Sequence, residues 1–293
     1  MTRLSDNSKA AFLMCLTMLS YATSDVFMKS LLAAAPMGQL IVLRGLIALP
    51  FILVLMAIFG QLKGKMSAQD WKFCLWRAAA EISATLFFFS ALKSVPLTNA
   101  SAMLQVIPLT VTLAAALFLK EKVGWRRWIA ILIGCSGVLL VLQPGLSGWT
   151  PSALLVLGTV VSVTIRDLTT RQLSASAPSL FITGVTSLAL MMMGAALIPA
   201  GGWIDLPPYA WWYLIMTGIA ISAATLLSVM VMRVGDVSFA SPFRYSAMVF
   251  AFIYGFFIFG ERPNILMIIG IIMIIGGGLF TLIRERQIKS KSA

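Results

Sequence analysis

The amino-acid sequence predicts an all-α integral membrane protein: ten transmembrane helices arranged as two inverted five-helix repeats. Two features of the chain carry this. Ten hydrophobic stretches of membrane length follow one another along 293 residues, of which 60% are hydrophobic and only 11% charged, whereas soluble domains carry about a quarter charged residues. The second five stretches also repeat the first five. Asp25, Lys29 and Pro36 recur 142 positions later as Asp167, Arg171 and Pro178, and Trp71, Thr85, Leu86, Lys93, Ala100, Ser101 and Glu121 recur 140 positions later as Trp211, Thr225, Leu226, Arg233, Ala240, Ser241 and Glu261. Five is odd, so the second copy enters the bilayer from the opposite face. Inverted repeats of this kind build secondary transporters, with the substrate site between the halves near the bilayer midplane. The chain accordingly divides into a first repeat, residues 1–146, and a second, residues 147–293.

In the first repeat, span 1 covers residues 10–32 and carries Tyr21, Asp25 and Lys29 on one helical face. Its apolar run resembles a signal peptide, but Ser24, Asp25 and Lys29 interrupt it, and it has a counterpart deep in the chain. Span 2, residues 38–60, holds Arg44, which is either an interfacial anchor or a partner of Asp25. Span 3, residues 71–92, aligns Arg77, Glu81 and Thr85 at four-residue spacing. Span 4, residues 97–119, aligns Thr98, Ser101 and Gln105. Span 5, residues 126–142, is nearly pure hydrocarbon broken by Ala130, Gly134 and Gly137.

The second repeat follows the same order. Span 6, residues 151–172, carries Arg166, Asp167 and Arg171; spans 7 and 8 cover 179–198 and 208–232. Span 9, residues 237–260, carries Ser238, Ser241 and Tyr245 on the face matching that of span 4, with Arg244 beside them. Span 10, residues 264–283, is broken by Gly270, Gly276, Gly277 and Gly278. Small residues on one face allow close helix approach. Spans 5 and 10 therefore pack, either between the two repeats or between protomers of a homodimer, and do not bind substrate.

Charge placement sets the orientation. Lys63, Lys65, Lys72 and Arg77 flank one loop, Lys120, Lys122, Arg126 and Arg127 another, and Arg284, Arg286, Lys289 and Lys291 follow the last span. The loops around 33–37, 143–150 and 199–208 hold no Lys or Arg. The net charge of +12 thus reads as a positive-inside bias and not as a nucleic-acid surface, and both termini are cytoplasmic. All eight tryptophans fall at span ends or in loops, as interfacial belts do.

No metal or cofactor is expected. The chain lacks histidine, and Cys15, Cys74 and Cys135 have no ligand-like spacing. Without histidine, H-E-x-x-H or G-x-S-x-G an intramembrane enzyme is only a distant alternative, as is a channel, and without a phosphate-binding glycine loop an ATP-driven pump is not expected. No filter loop or charged ring suggests a channel.

Polar stripes in spans 1, 3, 4, 6, 8 and 9 select the walls of a cavity: Tyr21, Asp25, Glu81, Thr85, Thr98, Ser101, Gln105, Arg166, Ser238, Ser241, Arg244 and Tyr245. The bland reading of each Ser and Thr is a bond back to its own helix carbonyl. Charges within the bilayer are sharper signals, since each costs at least about 2.5 kcal/mol at its centre. Glu81 is the deepest acid, the candidate carrier of a coupling proton, with an internal Glu81 to Arg77 pair as the structural alternative. Arg244 can hold a carboxylate bidentately, either that of Glu81 or that of a substrate. Asp25 with Lys29, and Asp167 with Arg171, read as i,i+4 pairs that serve as gates or as snorkelling anchors.

A fourth span that closes on Glu and leads into a small-residue helix resembles the EamA-type families of the drug/metabolite transporter superfamily. The matching residues are Pro108, Glu121, Gly134 and Gly137 in the first half and Glu261, Gly270 and Gly277 in the second, where Met248 replaces the proline. Within that superfamily the chain is similar to the ten-helix bacterial aromatic amino-acid exporters. The resemblance implies an inner-membrane carrier that exports amino acids by alternating access, through a cavity walled by spans 1, 3, 4, 6, 8 and 9. Carriage of a nucleotide sugar or a cationic drug is the alternative within the same fold.

Overall fold

A computed structural model describes residues 6–62, 66–118, 124–143, 151–174, 176–234 and 240–292, and all regular structure among them is helical. The first repeat comprises α1 (Asp6–Leu32), α2 (Met37–Ile58), α3 (Ala68–Leu92), α4 (Leu97–Leu104), α5 (Ile107–Phe118) and α6 (Trp125–Leu142). The second comprises α7 (Ala153–Arg171), α8 (Ser179–Gly201), α9 (Pro208–Val234), a 3₁₀ turn (Ser241–Tyr245), α10 (Ser246–Phe259) and α11 (Ile265–Ser292). Eight of the ten expected spans are long and apolar enough to cross a membrane; spans 5 and 10 contain the shorter apolar stretches Trp128–Leu142 and Ile265–Thr281.

Span boundaries follow local chemistry. Pro36, Pro96 and Pro178 stand at the N-caps of α2, α4 and α8, where a fixed φ and a missing N–H do no harm. Ser67 caps α3, its hydroxyl oxygen accepting the Asp70 N–H at 3.0 Å. Gly260 ends α10 in the left-handed conformation, φ 64°. Gln143 ends α6 the same way at φ 48° despite its side chain, and that side chain is held by a two-way amide pair with Asn264, at 2.8 and 3.0 Å.

Spans 4 and 9, expected to be continuous, are both broken, and at matching positions. Between α4 and α5 the bonds shorten to i→i−3, Gln105 N–H to Ala102 and Val106 N–H to Met103. Pro108 explains this: it offers no N–H to the Leu104 carbonyl and its ring clashes there. Span 9 has Met248 at the equivalent place, but Pro242 sits at the start of its 3₁₀ turn, which runs to Tyr245, the counterpart of Gln105. Two prolines at different positions produce one break, repeated in both halves.

The packing has the twofold character of an inverted repeat. α1 packs on α9 and α3 on α7, which exchange when the halves are swapped; α2 on α8 and α6 on α11 map onto themselves. Glycines allow the latter two contacts. A Cβ on Gly137 would lie 2.6 Å from the Gly270 carbonyl, one on Gly270 2.6 Å from the Gly137 carbonyl, and one on Gly277 2.8 Å from that of Ala130. Under the 140-residue offset the Gly137–Gly270 crossing becomes Gly277–Ala130. The small-residue faces of spans 5 and 10 therefore join the two repeats to each other.

Candidate functional site

Hydrogen bonds gather the helix ends at the 32–37, 92–97, 201–208 and 259–265 junctions at one end of the bundle, and those at 58–68 and 171–179 at the other. Between the ends lies a cavity of about 450 Å³. Its walls include the expected spans 1, 3, 4, 6, 8 and 9, with α6 and α11 outside it. Two further walls were not expected. α2 contributes Ile41, Arg44, Gly45 and Ala48, and α8 contributes Thr183, Thr186, Ser187, Leu190 and Met191. The signal for α8 was present in the sequence, since Thr183, Thr186 and Ser187 share one face at i, i+3, i+4 spacing.

Nine of the twelve expected residues line this cavity: Tyr21, Asp25, Glu81, Thr85, Ser101, Gln105, Arg166, Arg244 and Tyr245. Thr98 does not. It is 1% exposed, its N–H donates to Glu261 Oε2 at 2.8 Å, and its hydroxyl turns to the Ala251 carbonyl. Ser241 begins the 3₁₀ turn and is not part of the wall, and Ser238 falls outside the described residues. Tyr245 reaches the wall, but its hydroxyl rests against the backbone of Gly278 in α11. The reason is local geometry: a 3₁₀ helix turns about 120° per residue and an α-helix about 100°, so four residues of 3₁₀ rotate a side chain about 80° off its α-helical bearing. What links the two breaks is instead the Gln105 amide, which donates to the Tyr245 carbonyl at 3.3 Å.

The buried charges choose partners other than those their sequence spacing suggests. Glu81 pairs not with Arg77 but with Arg166, whose Nη1 donates to Oε2 at 3.1 Å. The same guanidinium holds Asp167, with Nε at 2.9 Å and Nη2 at 2.8 Å. Arg77 crosses to α7 and α8 and donates to the hydroxyls of Thr170 at 3.1 Å and Thr186 at 2.8 Å. Lys29 does not pair with Asp25. It donates to Glu261 at 2.9 Å and to the Val95 carbonyl at 3.0 Å, and lies over the Phe259 ring. Glu261 also accepts the N–H groups of Leu97 at 2.6 Å and Thr98 at 2.8 Å, so an acid of the second repeat caps α4 of the first. Burial alone would raise this carboxyl, but the Lys29 and Thr98 hydrogen bonds outweigh burial and hold it below the ordinary glutamate value.

Arg44 is no interfacial anchor. It faces the cavity, donates to the Ser24 hydroxyl at 3.1 Å, and sits 5.7 Å from the centre of the Phe89 ring. Arg244 is exposed on the wall and makes no hydrogen bond or ion pair among the described residues. Four guanidinium groups, those of Arg44, Arg77, Arg166 and Arg244, thus face the carboxylates of Asp25, Glu81 and the Arg166-bound Asp167, leaving a positive charge uncompensated. No group of three His, Cys, Asp or Glu among the described residues is arranged to hold a metal.

Two halves that cross on reciprocal glycines and enclose a polar cavity also match one family model twice. The EamA-like transporter family model covers residues 8–143 and 150–283. The chain belongs to the EamA-like transporter family. It is a multi-pass membrane transporter for small molecules and not an enzyme. Among its EamA relatives, the S-adenosylmethionine uptake transporter of Rickettsia bellii is 26% identical over 202 residues, 68% of each chain. The riboflavin transporter of Vibrio cholerae is 28% identical over 187 residues, 63% of this chain and 62% of the relative. The pseudopaline exporter of Pseudomonas aeruginosa is 23% identical over 262 residues, 87% of this chain and 89% of the relative. A solved crystal structure shares the fold at a TM-score of 0.65 and 19% identity, over 96% of this chain and 99% of that one.

Proposed function

We propose that this EamA-family protein exports amino acids, aromatic and other apolar ones foremost, across the bacterial inner membrane by alternating access, with Arg244 holding the substrate carboxylate. The observation that carries this reading is the cavity's charge: its arginines outnumber its acids, and Arg244 is the guanidinium with no hydrogen-bond or ion-pair partner among the described residues. A guanidinium offers paired N–H donors that match a carboxylate. Phe89, Met18, Leu190 and Met191, which line the same cavity, suit an apolar side chain. The relatives named for S-adenosylmethionine, a molecule with an amino-acid head, agree with a carboxylate-bearing cargo, and one relative is named an exporter. A cationic drug fits less well, because the same excess of guanidinium groups repels it.

Proteoliposomes test the reading. L-Phenylalanine counterflow should be lost or weakened about 10- to 100-fold by Arg244→Ala, the size of one hydrogen-bonded charge contact. Binding of phenethylamine, which lacks the carboxylate, should not be weakened by the same change. An Arg244→Ala protein that exchanges phenylalanine like the wild type rules out this role for Arg244.

A further inference from the structure

Of the acids in and around the cavity, Glu81 and Asp167 are both held by Arg166. Asp25 is different. It lines the cavity and makes no hydrogen bond or ion pair among the described residues. The cation four residues along its own helix, Lys29, is committed to Glu261 and the Val95 carbonyl at the end of the bundle. The cation on the facing helix, Arg44, bears on Asp25 electrostatically but directs its hydrogen bond to Ser24 and its face to Phe89. A carboxylate has acceptor room for about four donors, and leaving it unfilled away from bulk water is unfavourable. The fold has therefore kept an acid open to the cavity while satisfying its neighbours.

We propose that Asp25 is the subsite for the cationic group of the substrate, so that the carrier reads its cargo as a dipole and not as an anion. A substrate ammonium brings three donors and a positive charge to the oxygens that lack both. The cargo class narrows accordingly, from carboxylates in general to molecules that carry an amino group as well. This inference rests on the carboxylate reading of Arg244 for the other end of the cargo, and on a different residue. Its rival is that Asp25 serves only to balance Arg44, which would make it a matter of stability alone.

The test measures binding of L-phenylalanine, 3-phenylpropionate, which lacks the ammonium, and phenethylamine, which lacks the carboxylate, to the purified full-length protein. The wild type should prefer phenylalanine over phenylpropionate about 10- to 100-fold, and Asp25→Asn should abolish that preference while phenylpropionate binds as before. An Asp25→Asn protein that keeps the wild-type preference overturns the proposal and leaves Asp25 as the counter-charge of Arg44. Should Asp25→Asn fail to fold, the wild type still decides: equal binding of phenylalanine and phenylpropionate overturns the ammonium subsite. Equal binding of phenylalanine and phenethylamine overturns the Arg244 reading instead, and a wild type that binds none of the three overturns both.

Discussion

Glu261 does two jobs with one carboxylate. It neutralises Lys29 across the two repeats, with side chains only 15% and 10% exposed for Lys29 and Glu261, and it supplies the α4 N-terminus with the cap that Pro96 cannot give. Removing one partner of a buried pair leaves the other charge stranded, at about 3–5 kcal/mol. Glu261→Gln should therefore lower thermal stability in detergent clearly, whereas a change at exposed Asp6, whose pair with Lys9 is solvated, should do almost nothing. The sign of the pH dependence follows from a carboxyl held below its ordinary value of 4.5. Its contribution is complete above that value and is lost as pH falls through the lower, folded-state value. The stability gap between wild type and Glu261→Gln should be constant from neutrality to about pH 5 and close in stronger acid; melting curves over that range check it.

At the scale of elements, glycine decides which helices touch and proline decides where they break. Gly137 and Gly270 approach so closely that either Cβ would meet the other's carbonyl, a backbone atom that cannot turn aside as a flexible side chain can. Gly137→Ala should push α6 and α11 apart and destabilise the protein by about 1–3 kcal/mol. Gly276, on the same α11 but facing open space, is the control. Gly276→Ala should be neutral or stabilising by up to about 1 kcal/mol, because it removes backbone freedom from a helix interior. Equal melting temperatures for the two variants would count against the crossing as the join between repeats. The breaks at Gln105 and Tyr245 place loosened backbone on the cavity, where transporters use discontinuous helices to meet substrate.

Across the whole molecule, two of the main helix contacts, α2 with α8 and α6 with α11, map onto themselves when the halves are exchanged. The Lys29–Glu261 bridge ties the halves together at one end. From the Lys and Arg distribution we propose that the opposite end, at the α2–α3 and α7–α8 junctions, faces the cytoplasm. In a background with Cys15, Cys74 and Cys135 replaced, Gln69→Cys at the start of α3 should react with a membrane-impermeant thiol reagent only from the cytoplasmic side. Asp205→Cys, in the exposed loop between α8 and α9, should react only from outside. The reverse pattern would invert the orientation and place the Lys29–Glu261 bridge at the cytoplasmic end.

Sequence alone determined the fold class, the repeat and most of the cavity wall, because hydrophobic length, helical periodicity and a 140-residue offset are one-dimensional signals that survive without contacts. Nine of the twelve residues expected from the stripes line the cavity. Charge partners were not: i,i+4 spacing suggested Glu81 with Arg77 and Asp25 with Lys29, and the fold chose Arg166 and Glu261. Spacing reports neighbours on one helix, whereas a charge in the bilayer takes whatever counter-charge lies across the interface, and only tertiary packing brings α7 against α3 or the 259–265 junction against α4. The breaks in spans 4 and 9 were half visible, through Pro108 and Pro242, but not that the Tyr245 hydroxyl would come to rest against Gly278, because that requires knowing that α11 packs beside the 3₁₀ turn. What tertiary structure decided, above all, is which ionisable groups remain open to the cavity: Arg244 and Asp25 stand apart from the others only once those have found their partners.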